Sequence, residues 1–543
     1  MKKLISLILT FALALTVFAG CGTIGVVEGG ENGQQQIQTD ASKASITVAT
    51  WDGGLGSQWL KDAAELFEEK YKDATHFEEG KTGVEVNIVA SRSFDGSAMA
   101  FTPLTHDVYF VEAVDYFAMY NNQQFADISD VMTSSLSEYG EDGTIEDKLD
   151  DTLKSYLTCI DGKYYAVPFY ESFYSFAYDL DLWDAKSFYV SANGGWTDAS
   201  GERSNGPDGV AGTSDDGMPA TYEEFARLIT RISDADVTPF VTAGNAQDYV
   251  SNLLYQMWAD YEGKEQMMLN YTFDGTATDL VDVAEDGTVT QLEDTQISIE
   301  NGYMLQKQAG RYAVLQFCED ILLSSDSNHK IIDTHVNAQK SFVRGGIAND
   351  QPIAMIIEGS WWENEAKQAL KELEDGGYER HNYAVMPFPH ATADQIGQTS
   401  TWLAMSNSYG FVANNSDNLA LAKEFLKFLH TDENLVAFTK EVNMTRALNY
   451  AIPEEEIASL STYCQSILEL KKNGDVIYPI SLVDEVNNNN IMFGAFTWAW
   501  QTNINGYEFK NPWLYFKDEA DTSAEKYFAG QFENFKTKWS AIF

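Results

Sequence analysis

Three places in the chain set aromatic rings and acids at the end of a β-like run: Trp51-Asp52, Tyr170-Glu171 and Glu358-Gly-Ser-Trp361-Trp362. The flat face of an indole or phenol covers apolar C–H surface, and a carboxylate accepts from hydroxyls, most strongly when charged. Such a pair suits a ring-shaped solute with one apolar face and a polar rim. In open α/β sheets ligands sit beyond the carboxyl ends of the strands, where these groups fall. Asp107, before Val108-Tyr-Phe-Val111, joins the same set of candidates, as do Trp402, Arg446 and Trp498. The competing role for Asp107 is to cap a turn. For the aromatic residues and Arg446 it is packing in a core or between lobes.

A second kind of chemistry is offered by the loop Ser204 to Gly217, where Asp208, Asp215 and Asp216 are hard oxygen ligands of the type Ca²⁺ takes. The loop lacks the DxDxDG spacing and the bidentate Glu of an EF-hand, and its other reading is a glycine-punctuated surface loop with a solvated acidic rim. Signatures of catalysis are scarce. There is no HExxH and no GxSxG. Gly80-Lys81-Thr82 ends like a phosphate loop without its glycine cradle, and Gly53-Gly54-Leu55-Gly56 fails the dinucleotide spacing. Four widely spaced cysteines (Cys21, Cys159, Cys318, Cys464) form neither a zinc pattern nor a disulfide framework. The 82 acids leave room for a glycosidase pair, because that chemistry needs two carboxylates at a separation a sequence does not display. A net charge of −47 argues against nucleic acid as a partner, since that binding rests on Lys and Arg displacing counterions.

The elements that must position these residues follow from their periodicity. Ile46 to Thr50 is β-branched and reads as a strand, and Ser57 is placed to cap a helix bearing Leu60, Ala64, Phe67 and Tyr71. Val84, Val86 and Ile88 alternate as a second strand, completing a βαβ unit and a parallel sheet. Thr221-Tyr-Glu-Glu224 is a capping box ahead of an amphipathic helix. Ile353 to Ile357 is a buried strand that turns out at Gly359-Ser360, and Ser360 is placed to cap the helix that follows. Ser416 is placed to cap another through Leu419, Phe425 and Leu429. The expectation is an α/β protein with more than one lobe.

The amino-terminal residues are an address. Met1-Lys2-Lys3 precedes an apolar run, Leu4 to Phe18, and the small residues Ala19-Gly20 precede Cys21, the layout of a secretory signal. Val17-Phe18-Ala19-Gly20-Cys21 resembles a bacterial lipobox, which implies cleavage before Cys21 and acyl chains on it. The Gly- and Gln-rich stretch that follows reads as a flexible tether up to residue 45.

With these segments in view, the chain resembles the carbohydrate-binding lipoproteins of ABC importers, the extracellular solute-binding proteins of the maltose-binding type. The match is carried by Ile46 to Trp51, Asp107 to Phe110, Tyr164 to Asp179, Met355 to Trp362 and Ala422 to Leu429 followed by Thr431-Asp-Glu433. It implies an α/β, two-lobed periplasmic-binding-protein-like fold, with a ligand cleft between lobes and multiple hinge crossings. The corresponding division is 1–20 signal, 21–45 tether, 46–165 plus 387–430 first lobe, and 166–386 plus 431–543 second lobe. The resemblance implies no catalysis and no required cofactor; a structural Ca²⁺ in the acidic loop is a reading of that loop's own residues. It implies an oligosaccharide ligand, ABC permease subunits as partners, and a monomer held on the outer face of a bacterial membrane through its lipid alone. Trp361 would be the stacking platform, with Trp362 packed between lobes. The segments 187–218 and 260–298 depart from smaller members of the family. A secreted carbohydrate-active enzyme and a surface glycan-adhesion protein are the rival readings.

Overall fold

The computed structural model describes residues 27–28 and 39–543, apart from 95, 348–349, 406–407, 484–485, 488–502, 505–506, 509–510, 520 and 531. Cys21 and Trp498 lie outside the described residues. The stretch read as a tether is not all free of structure: Val27–Glu28 pairs parallel with Val89–Ala90, and the first long strand, β1 (Ala44–Trp51), already includes residues 44–45. Alternate residues of β1 are buried, and α1 (Gln58–Lys70) turns Trp59, Leu60, Ala64 and Phe67 inward. β2 (Val84–Ser91) and β3 (Val108–Val111) then pair parallel on either side of β1. The expected βαβ unit is therefore present. Ser57 precedes α1 but makes no side-chain cap.

The chain next crosses through β4 (Val167–Pro168) into β5 (Tyr174–Asp179). There follow α2 (Tyr222–Asp234), β6 (Thr238–Ala243), α3 (Asp248–Thr272), β7 (His329–Ile332), α4 (His335–Arg344), β8 (Ile353–Gly359), the short α5 (Trp362–Glu365) and β9 (Tyr383–Val385). These strands form a second sheet in the order β7-β6-β8-β5-β9, parallel across β7-β6-β8 and antiparallel at β5 and β9. Thr221 caps α2 as read, its Oγ1 accepting from Glu224 N, but the return bond of a capping box falls one residue early, with Glu224 Oε2 accepting from Ala220 N and not from Thr221 N.

β10 (Thr401–Leu403) precedes a return to the first sheet in β11 (Tyr409–Val412), which lies antiparallel between β3 and β4. After it come α6 (Leu419–Phe428), α7 (Asp432–Val442), α8 (Thr462–Asn473) and β12 (Asp475–Ile477), the last parallel to β10. Asn418, not Ser416, caps α6; Ser416 Oγ instead donates to Asp107. Two sheets with their own helices, joined by repeated crossings, make a two-lobed α/β fold.

The lobe boundaries differ from the sequence reading in three places. Val167–Pro168 pairs with β11 and so belongs to the first sheet. β10 is tied to α3 by Gln256, which bonds Leu403 O and Leu403 N, placing residues 401–403 with the second lobe. α7 packs on α1, with Phe438 5.2 Å from the Trp59 ring, so the chain stays in the first lobe past residue 430. In each case a long-range partner, invisible to local pattern, decides the assignment. The stretch 260–298 carries two small ribbons, Gly275–Ala277 with Thr295–Ile297 and Val281–Val283 with Val289–Gln291. Part of it joins Phe535 and Trp539 in a separate small core. Among the described residues no helix is long and apolar enough to cross a membrane.

Candidate functional site

The carboxyl ends of β1, β3 and β8 meet where the lobes face one another. β1 ends in half-buried Trp51, whose ring lies so closely over Gly53 that a Cβ there would fall 1.8 Å from it. β8 and β5 run antiparallel, with Gly359 opposite Tyr174. The turn at Gly359-Ser360 therefore brings Trp361 beside Tyr174, at 5.1 Å and 88° between ring planes. Tyr249, from the first turn of α3, closes a triad of rings, 5.3 Å from Tyr174 and 5.8 Å from Trp361. Edge-to-face contacts of this kind fix an indole with little residual freedom. The Trp361 ring is half-buried and reaches the first lobe, its Cδ1 2.9 Å from where a Cβ on Gly54 would stand.

Acids surround the triad. Burial and the charges of Glu358, Glu365, Asp248 and Glu112 together push the Tyr249 hydroxyl well up, so these carboxylates lie close to the ring. Burial, then Glu365, holds Glu358 well above the usual carboxyl range, and Gln339 Nε2 bridges the two at 3.1 and 2.8 Å. Glu358 is thereby biased toward its protonated form, because a buried carboxyl beside another acid resists charging. From the first lobe, Glu112 follows directly on β3 and accepts from the Tyr170 hydroxyl. Ala113 behind it holds a left-handed φ of 54°, an uncommon conformation for a residue with a Cβ.

Trp51, Asp52, Tyr170 and Trp361 thus fall on the facing edges of the two lobes. The other candidates do not. Asp107 sits at the amino end of β3, where it accepts from Thr47 N and Oγ1 and from Ser416 Oγ; it brackets β1 to the chain entering α6. Glu171 is buried at a crossing and accepts from Lys471, from Thr445 Oγ1 at 2.5 Å and from the Tyr478 hydroxyl at 2.9 Å. Its carboxylate is engaged in the hinge. Trp402 is buried, stacked 4.3 Å from Phe388, and borders a cavity of about 10 Å³, room for no more than a water. Arg446 is fully buried among Trp59, Phe110, Phe169 and Phe438, its guanidinium 5.0–5.9 Å from their rings. Trp362 packs inside the second lobe against Phe342, Tyr383 and Tyr463, not between lobes. Ser360 does not cap α5; its Oγ accepts from Phe173 N.

The three acids of the proposed calcium loop do not converge. Asp215 accepts from Asp208 N and Thr213 Oγ1, Asp208 from Val210 N, and Asp216 from Gly212 N. Each carboxylate closes a turn of the loop, and burial raises the Asp215 pKa. Among the described residues one other group, Asp179, Asp181 and His381, brings metal-type ligand atoms within 4.8 Å of one another. Those atoms are already paired: Asp179 with His381 Nδ1 at 2.6 Å and with Leu182 N, Asp181 with Asn382. Glu112, Tyr174 and Tyr249 were missed as site residues. Glu112 was within reach of the strand-end rule, which selects the residue after Val111 and not the one before Val108.

Solved structures share the architecture. A Thermus thermophilus maltotriose binding protein is 17% identical with a TM-score of 0.49, covering 91% of this chain and 99% of its own. The GacH receptor of Streptomyces glaucescens, solved without ligand and with acarbose, is 15% identical over 91% of this chain and 98% of its own, with a TM-score of 0.51. The solute-binding protein RafE in complex with raffinose is 12% identical over 92% and 99%, with a TM-score of 0.52. No curated protein matches the chain. The family model of bacterial extracellular solute-binding proteins matches residues 72–459, most of the chain and strands of each sheet, and this protein belongs to that family.

Proposed function

We propose that the protein captures an oligosaccharide between its lobes, outside the cell, and passes it unchanged to the permease of an ABC importer. The observation that carries this reading is the Trp361-Tyr174-Tyr249 triad set among Glu112, Asp248, Glu358 and Glu365 at strand ends. A pyranose has an apolar face for the indole and hydroxyls for the acids. The acarbose and raffinose of two structural relatives point to the same ligand class. Trp51, Asp52, Tyr170, Glu112 and Trp361 are the residues we assign to the ligand. In the same reading Cys21 carries the lipid that tethers a monomer to the membrane.

The test is a panel of di- to tetrasaccharides read by thermal shift and calorimetry. A ligand at 100 times its Kd stabilises the fold by about 2.7 kcal/mol. Chromatography of the sugar after long incubation separates the reading from an enzyme, since a cleavage product contradicts it, as does a panel with no binder. Replacing Cys21 by Ser should release the protein to the medium. Retention of that variant on the membrane would remove the anchor from the proposal.

A further inference from the structure

Besides Lys367, which donates from Nζ to Glu441 O and Oε1 on α7 at 2.5 and 3.1 Å, a direct polar contact joins the lobes beside the strand ends. Asn364, on α5 of the second lobe, donates from Nδ2 to Gly54 O, in the loop after β1 of the first, at 2.5 Å. Asn364 is only 8% exposed, and its Oδ1 is buried with no partner. The second lobe therefore gives this side chain no hydrogen bond of its own. A buried carboxamide with half its capacity unmet is unfavourable unless the bond it does make matters, and in separated lobes the same group would be hydrated.

Gly54 is fitted to the same contact. A Cβ there would stand 2.9, 3.2 and 3.3 Å from Cδ1, Cγ and Cβ of Trp361. Trp361 has little room to withdraw, since the edges of Tyr174 and Tyr249 flank it and its ring lies over Gly359. Glycine at 54 is thus required by close approach of the lobes, and this stands apart from the hydrogen bond.

We propose that Asn364 and Gly54 form a latch that holds the lobes closed, with Asn364 a positioning residue that governs how long a solute stays and not a group that reads the solute. The latch is polar, so it exchanges for water when the lobes part. An apolar residue in its place would leave a greasy edge on the open form. The inference uses the two-lobed fold and is independent of which solute is bound.

Asn364→Asp keeps the shape and removes the donor; Gly54→Ala keeps the carbonyl acceptor and blocks the approach. Small-angle scattering of wild type and both variants, free and with maltotriose or raffinose added, reads lobe separation. Both variants should show a larger radius of gyration, with melting temperatures unchanged because neither side chain belongs to a lobe core. Trp361→Ala should restore closure in the Gly54→Ala background, which a merely structural defect would not allow. For whichever sugar binds, release should quicken about five- to tenfold in Asn364→Asp, the equivalent of one hydrogen bond, with the association rate little changed. Scattering curves of wild type and Asn364→Asp that superpose both free and with sugar would overturn the latch. If neither sugar binds, the sugar reading loses support and the scattering of the free proteins still decides this one.

Discussion

Arg446 Nη2 lies 2.7 Å from His430 Nε2, and His430 Nδ1 donates to Leu426 O at 2.6 Å. The imidazole is therefore neutral, with its proton on Nδ1 and its lone pair turned to a guanidinium. Burial, and then the Arg446 charge, holds His430 well below the ordinary imidazole value. Burial also pulls Arg446 down to about 9. The first-lobe core contains a cation sheltered by four rings and a histidine that must not charge.

That arrangement gives stability a pH dependence of known sign. An unfolded imidazole takes up a proton near pH 6.5, whereas the folded one resists until much lower pH. Between the two values the unfolded chain binds the extra proton, so stability falls with falling pH, by up to about 1.4 kcal/mol per unit. The melting temperature of His430→Gln should decline less steeply than wild type from pH 7 to 5. Parallel profiles would contradict the assignment.

Lys471 and Glu171 form the charged centre of the hinge, where the ammonium is 24% exposed and the carboxylate fully buried. Lys471→Met leaves Glu171 with only Thr445 and Tyr478 as donors, and should lower unfolding stability by about 2–4 kcal/mol in urea titration. Adding Glu171→Leu should recover part of that loss. A double variant no better than the single would mean the pair is not coupled.

Trp361 and Trp362 are neighbours with opposite duties. Trp361→Ala should lose about 2–4 kcal/mol of oligosaccharide affinity by calorimetry with a small change in melting temperature. Trp362→Ala opens a hole among Phe342, Tyr383 and Tyr463 and should lose about 3–5 kcal/mol of stability. A Trp361→Ala protein that binds sugar like wild type would exclude the indole as a platform.

Glu112 and Asp107 bracket the same strand at opposite ends. Glu112→Gln should weaken sugar binding by tenfold or more, the loss of a charge-assisted bond of about 1.5–3 kcal/mol. Asp107→Asn should instead lower the melting temperature with affinity intact. The reverse pattern would place the ligand at the wrong end of the sheet.

In the acidic loop the carboxylates of Asp208, Asp215 and Asp216 already receive backbone and hydroxyl donors. Melting curves in excess Ca²⁺ and in chelator should superimpose. A shift of several degrees between them would show an ion drawn in by rearrangement.

The two-lobed plan was legible because β1, α1 and β2 carry local periodicity and the turn at Gly359 carries local chemistry. Trp51 and Trp361 were legible for the same reason: each stands where a strand must end. Arg446, Trp402 and Glu171 were not, because their burial is decided by Phe438, Phe388 and Lys471, residues that are distant in the chain or carry no local sign of the contact. Charge in a sequence suggests a surface, yet a guanidinium caged by rings and an acid met by three donors are stable inside. Asp107 precedes β3 and Glu112 follows it, so strand direction separates a residue at the far end of the sheet from one at the ligand end.

The position of β11 between β3 and β4 bears on how the chain is made and exported. Until Tyr409 to Val412 has emerged, β3 and β4 have no partner between them, and the first sheet exposes unpaired edges. The first lobe cannot complete itself from its own amino-terminal stretch, however long the wait, because the strand that joins β3 to β4 arrives after all five strands of the second sheet. Such long-range closure is slow, and a nascent chain that folds late stays threadable. Strand order here delays the folded state until about three quarters of the polypeptide has been delivered, and fragments ending before residue 409 are expected to aggregate and not to form a free-standing domain.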